Sequence, residues 1–348
     1  MKIAAKSLPV GALPYDNIKH ATAMMAKLFC NMPFVALLPN MSEFENIKYR
    51  SFENIPGIHY KGNKLVLRVG TEKYNEGILH LDRTFNSPKL DSLEKYAFKA
   101  EFLERYLQMI DKFKSPHACI NILGPFTVSH IILDSVKEQI LADKSYRKLF
   151  VEAVCVKALW MIEKIKQVSA GTVPIVILEE PLLGQLGNLK RENEDVTSEL
   201  VTGMIAKVVE KIKSAGAVVG IQCFDKCDWS VPIKAGVDLI SFDAYNNPNN
   251  FGIIPEIVTD FLRGGGMVNW GIVPVVSDDM VKNLTLEYLY KRFTVTLGEI
   301  TTTGIPIDLL YRASLVSLNG GTDKLSVMFA EKALMLSTQL GLRITANS

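Results

Sequence analysis

The sequence predicts an α/β protein: a single (β/α)8 TIM barrel with a β-hairpin inserted after its second strand. Three observations carry that expectation. Short, almost wholly apolar runs alternate with longer helical stretches from about residue 115 onward, eight such runs can be counted in all, and no Pro- or Ser-rich linker divides the chain. With 348 residues, 48% of them hydrophobic, the chain has room for one well-buried barrel with insertions beyond the roughly 250-residue minimum.

The elements follow in order. The first run is SLPVGALP (7–14), followed by the helical DNIKHATAMMAKLF (16–29), and the second is PFVALLP (33–39). Residues 41–90 read as an insertion that caps one end of the barrel, and YKGNKLVLRV (60–69) within it reads as a hairpin with a Gly-Asn turn. Six further runs complete the set: ACINILGPFT (118–127), PIVILEEP (174–181), AVVGIQCF (217–224), DLISFDA (238–244), MVNWGIVPV (267–275) and SLVSLNG (314–320). Near-continuous apolarity suits parallel strands covered on both faces. Without an internal repeat, residues 1–348 are expected to form one domain.

Composition narrows the partners. Lys and Arg number 39 against 37 Asp and Glu, a formal charge of +2 with no basic stripe, so nucleic acid is not an expected partner. No apolar run approaches the ~18 residues needed to span a bilayer, and the N-terminal stretch carries no sustained hydrophobic segment. A cytoplasmic protein with no membrane partner is expected. Five irregularly spaced cysteines fit reduced thiols better than a disulfide framework.

In a parallel barrel the loops after the strand C-termini form the functional face, so polar residues there are the site candidates. They are Tyr15 and Asp16 after the first run, Thr127 and His130 after the third, Glu179 and Glu180 after the fourth, and Gln222 to Asp228 after the fifth. Asp243, Tyr245, Trp270 and Asn319 follow. Strand alternation sends one of Glu179 and Glu180 toward the mouth and the other away. The inward acid could bind an amine or act as a general base, or either could form an ion pair with a neighbouring strand. Gly124 to Thr127 reads as a strand-ending turn, with Thr127 capping a helix that begins near His130. Trp270 could stack on a planar ligand or simply pack. The glycines at 264–266 read as a helix C-cap and a loop needing positive φ. Cys223 and Cys227, a C-x3-C pair, supply only two of the four ligands zinc usually takes.

These strand ends resemble one superfamily in wording and order: uroporphyrinogen decarboxylase, cobalamin-independent methionine synthase and the corrinoid methyltransferases, the stand-alone methionine-synthase-like branch above all. GALPYDN (11–17) is similar to G-S-L-P-H-x-D, PFVALLP to P-F-W-P-Q-L-P, GPFT (124–127) to G-P-x-T, and EEP (179–181) to D-E-P. DWSVPIKAGVDLISFDAY (228–245), GGMVNWGIVP (265–274) and SLVSLNGGTDKL (314–325) resemble further strand-end segments of that branch. The resemblance implies methyl transfer to a small thiol or amine from a corrinoid or folate donor. It also implies a zinc site at Gln222, Phe224, Asp243 and Gly320, of which only Asp243 offers a strong donor. No tightly bound cofactor is therefore expected, and zinc rebuilt from Cys223, Cys227 and Asp243 ranks last. Glu179, Glu180 and Asp243 stand as catalytic candidates. Gly11, Ala12, Tyr15, Thr127, Gln222, Tyr245, Trp270 and Asn319 stand as the substrate-binding set. The expected partners are a small molecule at the mouth and a corrinoid protein, with the chain a monomer or homodimer. The alternative is a barrel without chemistry that binds a small ligand or scaffolds a corrinoid methyltransferase system.

Overall fold

In the computed structural model the described residues are 3, 6–9, 11–61, 64–132 and 143–346. Strands β1 (Ile58–Lys61) and β2 (Lys64–Leu67) form an antiparallel pair. The other six are β3 (His117–Leu123), β4 (Val173–Glu179), β5 (Val218–Gln222), β6 (Leu239–Phe242), β7 (Met267–Val273) and β8 (Ser314–Leu318). They join in sequence order into one parallel sheet, β3-β4-β5-β6-β7-β8, curled as a half-barrel. Each of the six corresponds to one of the apolar runs from residue 118 onward. Runs rich in Val and Ile, such as VPIVILE in β4, form such strands because branched side chains pack well on a pleat covered from both sides.

Helices cover the outer face. Lys144–Val168 lies against β3 and β4, Ser198–Ser214 against β5, Leu286–Thr301 against β7, and Val327–Ala346 against β7 and β8. Their starts are set by side chains that accept orphan backbone N–H groups: Asp143 from Ser145, Thr197 from Leu200, Thr285 from Tyr288. The expected helix after the first run is present as Ile18–Leu28, capped by Asn17. No described helix is long and apolar enough to cross a membrane.

The first two runs depart from expectation. Among the described residues they form no named strand, and the hydrogen-bonded parallel sheet has six members rather than eight. Prolines and a turning glycine account for part of this. Pro9, Pro14, Pro33 and Pro39 have no N–H to donate to a ladder, and Gly11 turns the chain at φ +85°. What remains is three isolated parallel bridges, Ser7 to Val316, Ala12 to Leu37 and Phe34 to Cys119.

The 41–90 segment contains the helix Ile47–Phe52, the β1–β2 pair and the helix Glu72–Asn86. The expected Gly-Asn turn lies outside the described residues. Glu72–Asn86 packs on the flank helix Lys144–Val168, so this part of the segment covers the side of the sheet. The segment is pinned by two buried cations. Arg50 donates to Val35 O at 3.0 Å, Ala36 O at 2.8 Å and Glu45 at 2.6 Å, and Lys157 Nζ donates to the carbonyls of Tyr96, at 3.0 Å, and Glu53.

Candidate functional site

Residues paired across a parallel sheet point to the same side, so the register sorts the side chains by face. Glu179 pairs with Gln222, Gln222 with Ser241, and Ser241 with Asn269. Asn121 and Ser317 join them by hydrogen bonds: Asn121 Nδ2 donates to Glu179 Oε1 at 2.9 Å, and Asn269 Nδ2 donates to the hydroxyls of Ser241 and Ser317, both at 2.8 Å. The opposite face holds Trp270, fully buried among Phe242, Phe251 and Phe293 and donating from its indole to Ser314 at 2.8 Å. Phe293 belongs to an outer helix, so the polar row faces the hollow of the curl. Asn121, Glu179, Gln222, Ser241, Asn269 and Ser317 thus line the concave face near the strand C-termini. Bulky aliphatic side chains fill that place in an ordinary barrel.

Glu179 is the charge-bearing member of this row. Burial pushes its carboxyl up from the ordinary 4.5 to about 7, against the lowering effect of the Asn121 hydrogen bond. It is nonetheless only partly buried, as is Asn121. Asn269 Oδ1, fully buried in the same row, meets no hydrogen-bond donor.

Glu180 does something else. Its side chain alternates to the helix side, where Phe126 N and Thr127 N donate to its two oxygens at 2.9 and 2.7 Å. Burial pushes this carboxyl up to about 7 too, while bonds from the Thr127 hydroxyl and the Phe126 and Thr127 N–H groups pull it down. It caps the short helix Pro125–Ile131, whose preceding Gly124 has room for no side chain: a Cβ there would lie 2.2 Å from Glu180 Oε1. The helix starts at Pro125, not near His130, so Thr127 is held by the cap instead of supplying it.

Asp243 is saturated. Its Oδ1 accepts from Tyr245 N at 3.1 Å, Asn246 N at 3.0 Å and Asn319 Nδ2 at 3.3 Å, and its Oδ2 accepts from Asn246 Nδ2 at 2.6 Å. The carboxylate therefore folds the β6 loop and ties it to the end of β8. Gln222, next to Ser241, and Phe224, whose carbonyl accepts from Asn247 at 3.3 Å, bring no zinc donor to it, and Gly320 has no side chain. These residues do not fit a zinc ion. Among the described residues, no three His, Cys, Asp or Glu side chains gather as a metal site. Cys223 is buried on the outer face with Asp225 O at 3.5 Å and Pro181 O at 3.9 Å, and burial beside Cys223 pushes the Cys227 thiol up.

Part of the expected binding set meets at one rim. A Cβ on Gly11 would lie 2.7 Å from Gly321 Cα, and Ala12 O accepts from Thr322 N at 2.8 Å, so the first loop touches the loop after β8. Asn319 and Gly320 lie there, partly exposed. Tyr245, also partly exposed, shares a hydroxyl contact of 3.3 Å with Tyr288 and lies under the Arg292 guanidinium. Tyr15, by contrast, is buried with its hydroxyl 3.1 Å from Glu331 of the last helix, and Trp270 and Thr127 face the helix layer. Attention to strand ends passes over Asn121, Ser241, Asn269 and Ser317. Their signal is a lone amide or hydroxyl inside an otherwise apolar strand.

No family model matches the chain, and neither does any curated protein. Among solved structures it is similar to the X-ray structure of a chitobiase from Flavobacterium johnsoniae, at 12% identity and a TM-score of 0.37. That match covers 99% of this chain and 52% of the other, so the chain spans about half the length of that protein. A likeness so distant carries no functional argument. These findings overturn the resemblance to the uroporphyrinogen decarboxylase and methionine synthase superfamily: no family model or curated protein of that superfamily matches, and the parallel sheet of the described residues has six hydrogen-bonded strands. The misleading motifs have a plain origin. Gly-Pro and Glu-Pro steps recur wherever buried strands end in tight turns, because turn geometry selects those residues in unrelated chains.

Proposed function

We propose that the concave face of the curled sheet binds a small polar molecule and that Glu179 is its acid–base group. The observation that carries the proposal is the partly exposed Glu179 carboxyl, pushed to about 7 among uncharged amides and hydroxyls. A carboxyl that is half ionised near neutral pH can both take and give a proton, and burial in a cleft is how such groups are tuned. Asn121, Gln222, Ser241, Asn269 and Ser317 carry no positive charge to receive a phosphate or carboxylate. The face instead offers the partly exposed Glu179 as an acceptor to a ligand rich in N–H or O–H donors, an amine, an amino alcohol or a polyol, and the buried, unmet Asn269 Oδ1 becomes a second acceptor only once the row parts to admit it. In this reading the segments at residues 7–9 and 11–13 and at 33–37 complete an eight-part ring. Support comes from Leu8 N to Val316 O at 2.9 Å, Leu13 N to Leu37 O at 2.9 Å and Cys119 N to Pro33 O at 2.8 Å. Methyl transfer from a corrinoid or folate rested on the family resemblance and drops out of the proposal with it.

The test is a thermal-shift screen of primary amines, amino alcohols and polyols on the whole protein and on Glu179→Gln. Stabilising compounds that lose their effect in the variant support the proposal. Stabilisers that act equally on both proteins overturn it. A second reading, binding without turnover, is favoured by one observation: Glu180 and Asp243 are both committed to backbone N–H groups, which leaves Glu179 without a second free carboxylate. Recovery of every bound compound unchanged after long incubation would select it.

A further inference from the structure

We propose that a second ligand site, separate from the concave face, lies in the 41–104 region and takes an organic cation with an apolar body, such as a quaternary ammonium. A hollow of about 730 Å³ is lined there by Phe44, Tyr49 and Tyr60 together with Glu53, Glu101 and Glu104. That volume falls in the range that holds small organic ligands. Two features of the rings point to a ligand. Phe44 is 58% exposed and Tyr60 37% exposed, so aromatic area stands open to the hollow's surroundings instead of entering the core. The rings are also ordered as a set, with Tyr60 stacked on Tyr49 at 4.1 Å between centroids and Phe44 edge-on to Tyr49 at 5.0 Å. Open π faces attract a weakly hydrated cation, and an apolar cation gains from the rings where a bare metal ion would not.

The charge balance agrees. Glu45 is neutralised by Arg50 at 2.6 Å and accepts from Glu101 N at 2.8 Å, while Lys99 is set against Glu53, Glu101 and Glu104, leaving the lining net negative. The walls are preformed. Tyr60 hydroxyl contacts Lys48 O at 3.3 Å, Asn46 caps Tyr49 N at 3.1 Å, and Glu53 accepts from Lys99 N at 2.7 Å, so little ordering is left to oppose binding. Phe98, also in the lining, already has Arg50 and Lys157 within 6 Å of its ring, at 5.9 and 5.8 Å, which leaves the exposed Tyr60 and Phe44, held together by Tyr49, as the rings open to a ligand.

The experiment compares choline with its uncharged isostere 3,3-dimethyl-1-butanol by saturation-transfer NMR and calorimetry, on the wild type and on Tyr60→Leu. Leucine keeps apolar bulk and removes the π face. Choline is expected to saturate, to bind about 10-fold tighter than the isostere, and to weaken by about 10-fold in Tyr60→Leu. A circular-dichroism melt establishes that the variant is folded, and Phe44→Leu provides a second variant on the opposite side of Tyr49. Equal binding of choline and isostere overturns the proposal. So does choline binding that both variants leave unchanged, or the absence of saturation at tens of millimolar.

Discussion

Replacing Glu179 by Gln tests the central residue through stability, independent of any ligand. In the folded chain the carboxyl titrates at about 7, and unfolded it returns to the ordinary 4.5. Between those values the folded protein holds a proton that the unfolded chain has released. Stability therefore falls as pH rises through this window, by ~1.4 kcal/mol per unit and ~3.4 kcal/mol over the whole of it. The side chain is partly exposed, and solvent screening lowers this to about 2–3 kcal/mol. Glutamine cannot ionise, yet its carbonyl can still accept from Asn121 at the same place. Glu179→Gln is thus expected to match the wild type at pH 4.5, where both side chains are neutral, and to exceed it by about 2–3 kcal/mol at pH 8. Over 348 residues the unfolding entropy is ~0.7 kcal/mol per degree, so the gain amounts to about 3–4 °C in melting temperature. Scanning calorimetry of both proteins at the two pH values measures it, and the difference between proteins cancels the titration of all other groups. An equal offset at pH 4.5 and 8, or a variant less stable at pH 8, would refute the reasoning.

The neighbouring positions give contrasting expectations. Glu180→Gln keeps one acceptor for two N–H donors, so by urea titration it is expected to cost about 1–2 kcal/mol at pH 5, and because this carboxyl too is pushed up to about 7 the cost is expected to shrink as pH rises to 8. Gly124→Ala drives a methyl into the Glu180 carboxylate and is expected to cost about 2–3 kcal/mol in the same assay, unless Glu180 is shortened to Asp in the double variant. Lys157→Met leaves the carbonyls of Glu53 and Tyr96 without their buried donor. It is expected to cost about 3 kcal/mol and to raise amide exchange first in the 41–101 region.

Six of the eight apolar runs were legible as strands because of their near-continuous apolarity; Pro174 near the start of β4 and Gly220 and Gly271 inside β5 and β7 do not break the ladder. What sets the first run apart is Pro9 and Gly11 inside it, whereas PFVALLP carries the same flanking prolines as PIVILEEP and nothing in its sequence distinguishes it. Pro9 and Pro33 each remove one donor, and the segments bridge the sheet at Ser7 and Phe34 and each other at Ala12 and Leu37. The site was legible in part for a related reason. Period-two alternation separates Glu179 from Glu180 correctly. Applied along each strand it also sets Asn269 opposite Trp270 and Ser241 opposite Phe242, which places the amide and hydroxyl in the hollow and the rings against the helices. Short family-like motifs carried no such constraint. A Gly-Pro step records only that a strand turns, whereas an asparagine in the middle of MVNWGIV requires a partner somewhere inside the protein.

That requirement gives Asn269 its meaning. Its amide is fully buried, donates twice and leaves Oδ1 unmet. Two neutral hydrogen bonds contribute about 1–3 kcal/mol together, while one unmet buried acceptor costs about 1–3 kcal/mol, so the arrangement contributes little net stability. Leucine, similar in volume, would remove the unmet oxygen, and the Ser317 hydroxyl, which loses a donor, still gives its own proton to Leu318 O at 2.8 Å. Asn269→Leu is therefore expected to change the unfolding free energy by less than about 1 kcal/mol while abolishing the thermal shift given by donor-rich ligands. Stability and ligand response measured on one preparation decide the matter. If the variant loses about 3 kcal/mol or more, the amide serves the fold and the unmet oxygen is incidental. If stability and ligand response both persist, the hollow does not bind through this row, and Glu179 loses the surroundings on which its assigned role depends.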